Sequence, residues 1–424
     1  MDNRVVITGM GICAPNGNNL LDFGKNLSQG ISGIEFIPKL KELNFGCQIA
    51  GFPKVDQIYI DKYFTKIQQR GLNASGLIYG VIAGKDAWTD AGLQIGEEAE
   101  PDWDSGIIFG TGILGVDKFR EAIYSIDKGQ VRRLGSTSVV QTMASGISAY
   151  LGGILGTGNQ VTTNSSACTT GTEGLIMAFN RIKNGLAKRI LVGSCSDSGP
   201  YVWGGFDAMR ILPRKYNENP HAASRPLSAT AAGFVPSSGA GALVLESLQS
   251  ATERKAKVYA EVLGGAINSG GQRGGGSITA PNPTAVRRCI RLALEHSQIK
   301  AEEIDAINGH LTATAKDPEE VRNWLEALKL NRESFPYLNS FKSTIGHGLA
   351  ASGSIECVGT VLQFKHQEIF GNVNCEDLHP EIEKEVLPGR IPTKSLAYKP
   401  KIIAKASFGF GDVNACVIFK AFKD

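Results

Sequence analysis

The sequence predicts an α/β fold built as two related halves around a mostly parallel sheet buried on both faces. Three observations carry that expectation. Short apolar runs recur along the chain with helical stretches between them, as buried strands and their crossover helices do. At 424 residues, the chain exceeds what one hydrophobic core usually organises. Two distant segments, around Cys168 and His347, also repeat one plan, in which a turn of small polar residues delivers a reactive side chain to a helix start.

Taken in order, Met1–Thr8 reads as a first strand and not as a signal peptide, with its apolar part at Val5–Thr8. Further strands are expected at Gly106–Phe109, Ile190–Gly193, Ala242–Glu246, Val258–Leu263, Ile304–Asn308, Ile402–Ala406 and Ala415–Phe419. Helices are expected at Ala74–Ala91 and at Thr284–Ser297, the second opened by Pro281-Asn282-Pro283. Gln160–Thr163 is a short β-type run, and after it Leu175, Phe179, Ile182 and Leu186 recur at the spacing of one buried helix face. The polar stretch Ser247–Lys255 joins two strands and divides the chain into halves of residues 1–250 and 251–424. Across that divide Arg189–Ser194 rhymes with Lys401–Ser407.

Composition narrows the function classes. A net charge of +3 implies no polyanion, so no nucleic-acid partner is expected. No apolar run reaches the ~18–20 residues of a membrane span. Eight cysteines without disulfide-like or Cys-x-x-Cys spacing point to a reducing, cytoplasmic setting, and no Cys/His cluster has the spacing of a zinc site.

The chemistry gathers around Thr162–Leu175, where small and hydroxylated residues surround Cys168 just before a helix. Unpaired N–H groups and the positive helix end would favour a thiolate there. A lone cysteine is more often a buried structural residue. Other segments change that balance. His310 directly follows an apolar strand, with Thr312 and Thr314 spaced to share its face. Lys342 and His347 bracket one turn, and Ser407–Asn414 is a glycine-rich loop carrying Phe408 and Phe410. A thiolate can carry an acyl group, and N–H donors can stabilise an enolate or oxyanion.

At these residues the sequence resembles the β-ketoacyl-acyl-carrier-protein synthases, the elongating condensing enzymes of the thiolase superfamily. The resemblance runs from Val5–Gly11 through Ala167-Cys168, Ala223–Pro226, Gly233–Pro236, Asn308–His310 and Lys342–His347 to Phe408–Gly411. It implies a five-layer α-β-α-β-α sandwich of two similar halves, as a homodimer or, with a related ketosynthase, a heterodimer. Carried onto matching positions, it makes Cys168 the acyl-accepting nucleophile. His310 and His347 would assist decarboxylation of a malonyl thioester, and Lys342 would orient the His310 loop. The N–H groups of Cys168 and Phe410 would form an oxyanion hole, with Phe408 and Phe410 at the acyl entrance. Thr312 and Thr314 would hold a phosphopantetheine arm, and Ile113 would line the acyl pocket. The implied partner is acyl-carrier protein, with no metal or redox cofactor.

The sequence departs from the family pattern at Leu311, Ala313 and Asp412, where small residues or glycine are usual. The loop from His310 to Asp317 is one residue shorter than the family's, which leaves open whether Glu320 stands at the position of the family's lysine-pairing glutamate. Those departures leave open a specialised aryl-polyene or polyketide pathway. A non-catalytic chain-length factor should lack the cysteine, and a degradative thiolase should carry a second one near Phe408. For docking an acidic carrier, Lys62, Lys66 and Arg70 would form a basic face if Asp61–Arg70 is helical, with Arg132-Arg133 and Arg214-Lys215 as further clusters.

Overall fold

The computed structural model describes residues 3–95 and 100–422; Met1 and Asp2, the head of the first predicted strand run, lie outside them. The main sheet contains β1 (Val5–Cys13), β2 (Ser105–Thr111), β3 (Val161–Thr162), β4 (Arg189–Ser196), β5 (Gly239–Ser247), β6 (Ala260–Ser269), β7 (Ala306–Asn308), β8 (Tyr337–Asn339), β9 (Ile402–Gly409) and β10 (Val413–Ala421). Their spatial order is β8-β7-β9-β10-β6-β1-β5-β4-β2-β3. Each predicted strand forms, although Val258–Leu263 marks only the start of β6.

Read outward from the centre, the two halves are topological copies. β1-β5-β4-β2-β3 and β6-β10-β9-β7-β8 each run through two antiparallel pairs and then two parallel pairs. The sheet is therefore mixed, which corrects the expectation of mostly parallel strands. A central antiparallel strand buried on both faces has the same apolar signature as a parallel one, so composition cannot report direction. The halves meet where Val5–Ile7 of β1 pairs with Ala260–Val262 of β6, a seam flanked by the bidentate Arg4–Glu261 ion pair at 2.7 Å.

Helices complete five layers. α1 (Ser75–Asp90), α2 (Val116–Asp127) and α3 (Gly146–Leu155) belong to the N-terminal half, and α1 and α3 cover the outer face of its sheet. α4 (Thr170–Lys183) is the helix after Cys168. On the outer face of the other sheet α5 (Pro283–Ser297) packs directly and α6 (Asp317–Leu328) packs on α5. A single turn, α7 (Lys342–Ile345), leads toward α8 (Ser352–His366). α4 and α8 touch each other in the middle layer and contact strands of both halves. Leu175, Phe179 and Ile182 of α4 share one core with Ile355, Val358 and Leu362 of α8, whereas Leu186 lies beyond the helix end and is exposed.

Two sequence expectations fail at the surface. Asp61–Arg70 is not one helix, because a helix over Gln57–Tyr63 stops at the extended Phe64. Lys66 pairs with Asp61 at 2.8 Å, so the expected basic face is broken and partly neutralised.

Candidate active site

Cys168 sits in a 3-10 turn, Ala167–Thr169, that runs directly into α4. Ala167 adopts φ +49°, and the Thr170 hydroxyl ties this elbow by donating to Ala167 O (2.7 Å) and accepting from Ser166 N–H (2.9 Å). Of the eight cysteines, Cys168 alone is only half-buried as a residue. The loop after β9 approaches so closely that a Cβ on Gly409 would lie 3.1 Å from Cys168 N. That approach aims the N–H groups of Phe410 and Cys168 at the sulfur.

Burial nevertheless pushes the Cys168 thiol up to about 11, against the pull of those N–H groups and Lys342. This corrects the expectation of a resting thiolate. The sulfur lies deep enough that desolvation outweighs the helix start.

His310 follows β7, and His347 follows α7; their rings stand 5.4 Å apart at 84°. The Cys168 sulfur and one nitrogen of each histidine lie within 4.8 Å of one another. Burial holds both imidazoles well below the usual histidine range, helped by the positive charges of Lys342 and Lys405, so both are neutral. At His347, Nδ1 accepts the Leu349 N–H (3.1 Å) and meets Ser352 Oγ (2.9 Å). A neutral ring accepting at Nδ1 carries its proton on Nε2, which makes Nε2–H a donor. The cluster has the donor types of a zinc site, and in this tautomer His347 offers an N–H at Nε2.

The His310 loop hangs on two carboxylates of α6. Glu320 accepts the N–H groups of His310 (2.7 Å) and Leu311 (2.8 Å); Asp317 accepts those of Thr312 (3.0 Å), Ala313 (3.1 Å) and Thr314 (3.4 Å). Five successive N–H groups are thus fixed, and they hold Leu311 at φ +22° and Ala313 at φ +62°. These are two of the positions that depart from the family pattern. Asp412, the third, has φ +61° and accepts from Gln272 and Asn282 N–H. The Thr312 and Thr314 hydroxyls are 3.2 Å apart and face one way, as their spacing predicts.

A cavity of about 610 Å³ connects the parts, lined by Cys168, His310, His347, Thr312, Thr314, Phe408, Phe410 and Ile113. The predicted site residues therefore converge, with one exception. Lys342 stands behind the wall, 1% exposed and ion-paired with Glu356. The other carboxylate oxygen of Glu356 meets Lys405 Nζ at 2.7 Å. Sequence reasoning missed Glu356, Lys405, Asp317, and the rings of Phe206 and Phe234 that pack near Phe410 and His347. A lone lysine inside the apolar run Ile402–Gly409 was the available signal for Lys405.

Comparison with known proteins agrees with this arrangement. Residues 2–251 match the family described as β-ketoacyl synthase, N-terminal domain, and residues 259–376 match its C-terminal domain. The 3-oxoacyl-[acyl-carrier-protein] synthase 2 of Synechocystis is 33% identical, covering 99% of this chain and 98% of that one. A crystal structure of a β-ketoacyl synthase from Burkholderia phymatum superposes with a TM-score of 0.89 at 26% identity, over 99% of this chain and 100% of that one. A type II polyketide ketosynthase solved in complex with its acyl-carrier protein gives 0.86 at 26% identity, with both chains fully covered.

Proposed function

The chain belongs to the β-ketoacyl synthase family, and from that footing we propose that it joins a Cys168-bound acyl chain to malonyl-acyl-carrier protein by decarboxylative Claisen condensation. The observation that carries this reading is the meeting of a cysteine sulfur with two neutral histidines in the wall of one largely apolar cavity. In the first step, the Cys168 sulfur attacks the acyl thioester carbonyl. The oxyanion accepts the N–H groups of Cys168 and Phe410, and the phosphopantetheine thiol departs with the proton from Cys168. In the second step, the malonyl group loses CO₂, and its enolate oxygen accepts His347 Nε2–H and an N–H of His310. The enolate carbon then attacks the Cys168 thioester and expels the sulfur as a thiolate, which takes a proton from solvent to return to the resting thiol. Thr312 and Thr314 hold the pantetheine arm, Phe410 gates entry beside Phe408, and Ile113 lines the acyl channel. Lys342 acts through the residues in front of it. No metal or redox partner is needed for these steps to balance.

Acyl-carrier protein is the proposed partner, as in the solved ketosynthase complex. That complex also favours a second reading for the product, a specialised polyketide in place of a fatty acid. Eight free cysteines suit a reducing compartment such as the cytoplasm. A homodimer is supported by α2, which turns Lys118 inward and leaves Phe119 (57%) and Ile123 (46%) exposed; pairing with a related ketosynthase would cover the same face.

The test is mass spectrometry of the protein after incubation with acyl- and malonyl-carrier proteins. Wild type should show an acyl adduct on Cys168 and release a chain two carbons longer. Cys168→Ala should form no adduct and no condensed product while still releasing CO₂. His310→Ala or His347→Ala should retain the adduct but slow condensation ~100- to 10,000-fold. Condensation by pure Cys168→Ala would overturn the reading.

A further inference from the structure

We propose that Lys405 is a positioning residue of this site: by sharing Glu356 with Lys342, it fixes one surplus positive charge behind the two histidines, where negative charge develops on the enolate. The proposal rests on the condensing reading above. Lys405 is fully buried on β9 and cannot reach the cavity. Its ammonium is ion-paired with Glu356 Oε2 at 2.7 Å and donates hydrogen bonds to Ala406 O at 2.5 Å and Ser407 Oγ at 2.9 Å. The side chain is therefore pinned, and it acts by its charge and by what it holds.

One carboxylate, that of Glu356, is in direct contact with two buried ammonium groups. Burying charge is costly, and Glu356 gives each ammonium one oxygen, Oε1 to Lys342 and Oε2 to Lys405. A neutral hydrogen-bonding side chain could hold Ser407, so what the lysine alone supplies is its charge. Around the histidines the charged or titratable groups are Lys342, Lys405, Glu356, Glu320, Asp317 and Cys168. Burial lowers the proton affinity of His310 and His347 first, and both lysines lower it further. Lys405 also lowers the proton affinity of Lys342, whose main cause of depression is its own burial. The Ser407 hydroxyl that Lys405 holds meets Thr172 Oγ1 of α4 at 2.9 Å, so the same lysine ties β9 to the helix that follows Cys168.

Lys405→Met and Lys405→Gln remove the charge while leaving Lys342 paired with Glu356. In both variants, NMR titration of the His310 and His347 rings should move toward the ordinary imidazole range by about one pH unit, and decarboxylation of a malonyl thioester should slow about tenfold. Acylation of Cys168 should change less. Three results would overturn the proposal. The histidine titrations could be unmoved in both folded variants. The Gln variant could behave as wild type while Met does not, which would assign hydrogen bonding in place of charge. Neither variant could fold, which would place Lys405 in the scaffold. If wild type itself decarboxylates nothing, the condensing reading fails, and the titrations still decide what Lys405 does.

Discussion

A thiol pushed up to about 11 is almost wholly protonated at neutral pH, so Cys168 rests as a thiol and sheds its proton only as it attacks. The neutral histidines beside it cannot hold that proton at rest, because burial keeps both well below their usual range. Alkylation of Cys168 by iodoacetamide should therefore be slow at pH 7 and rise ~10-fold per pH unit until it levels near the thiol's own pKa. A plateau already reached by pH 8 would restore the thiolate. Leu311 shows a second residue-level balance. Its φ of +22° costs on the order of 1–3 kcal/mol, and burying a leucine side chain returns about 1.5–3 kcal/mol. A side chain can therefore stand where the family usually keeps glycine, provided that it fills the core.

The first turn of α6 supports the whole His310 loop; burial pushes up both of its carboxyls, Asp317 and Glu320, and Glu320 reaches the neutral range. Burial pushes this carboxyl from its usual 4.5 up to about 7, against its two backbone N–H bonds. A carboxyl whose folded pKa is raised binds more protons folded than unfolded between those values, so its contribution to stability falls as pH rises from 4.5 to 7. Glu320→Gln should flatten that slope in denaturant titrations, since the amide does not ionise. It should also slow condensation, because an amide cannot accept both His310 and Leu311 N–H through two oxygens. An unchanged slope would show that another group carries the effect. Elements differ in how much their sequence reveals. Cys168, His310 and His347 each sit in a turn beside a recognisable strand or helix, so local pattern finds them. Glu356 looks like an ordinary polar residue of a helix, and only packing of α8 between the two halves of the main sheet buries it. The proposed helix over Asp61–Arg70 fails for the opposite reason: charge spacing suggests a face, but the backbone turns extended at Phe64.

At the scale of the molecule, a doubly buried sheet and the duplication were legible because apolar runs and two matching turns record them; the five layers came from the family resemblance, and strand direction was not legible. The exposed apolar side of α2 predicts self-association. Phe119→Glu combined with Ile123→Glu should convert a dimer of 45.2 kDa chains into monomers in sedimentation velocity, with the circular dichroism unchanged. Wild type sedimenting as a monomer would remove the basis for that surface. Because α4 and α8 each touch strands of both halves, neither sheet has a complete inner face until both helices exist. During synthesis at ~5–20 residues per second, roughly ten to thirty seconds separate the emergence of Lys183 from that of Ser352. Throughout that interval the apolar side of α4 waits without α8 at the ribosome, open to chaperones and to premature association. The nucleophile thus leaves the ribosome long before the Phe410 N–H that completes its proposed oxyanion hole, so a chain stopped short of that loop carries no working acyl trap.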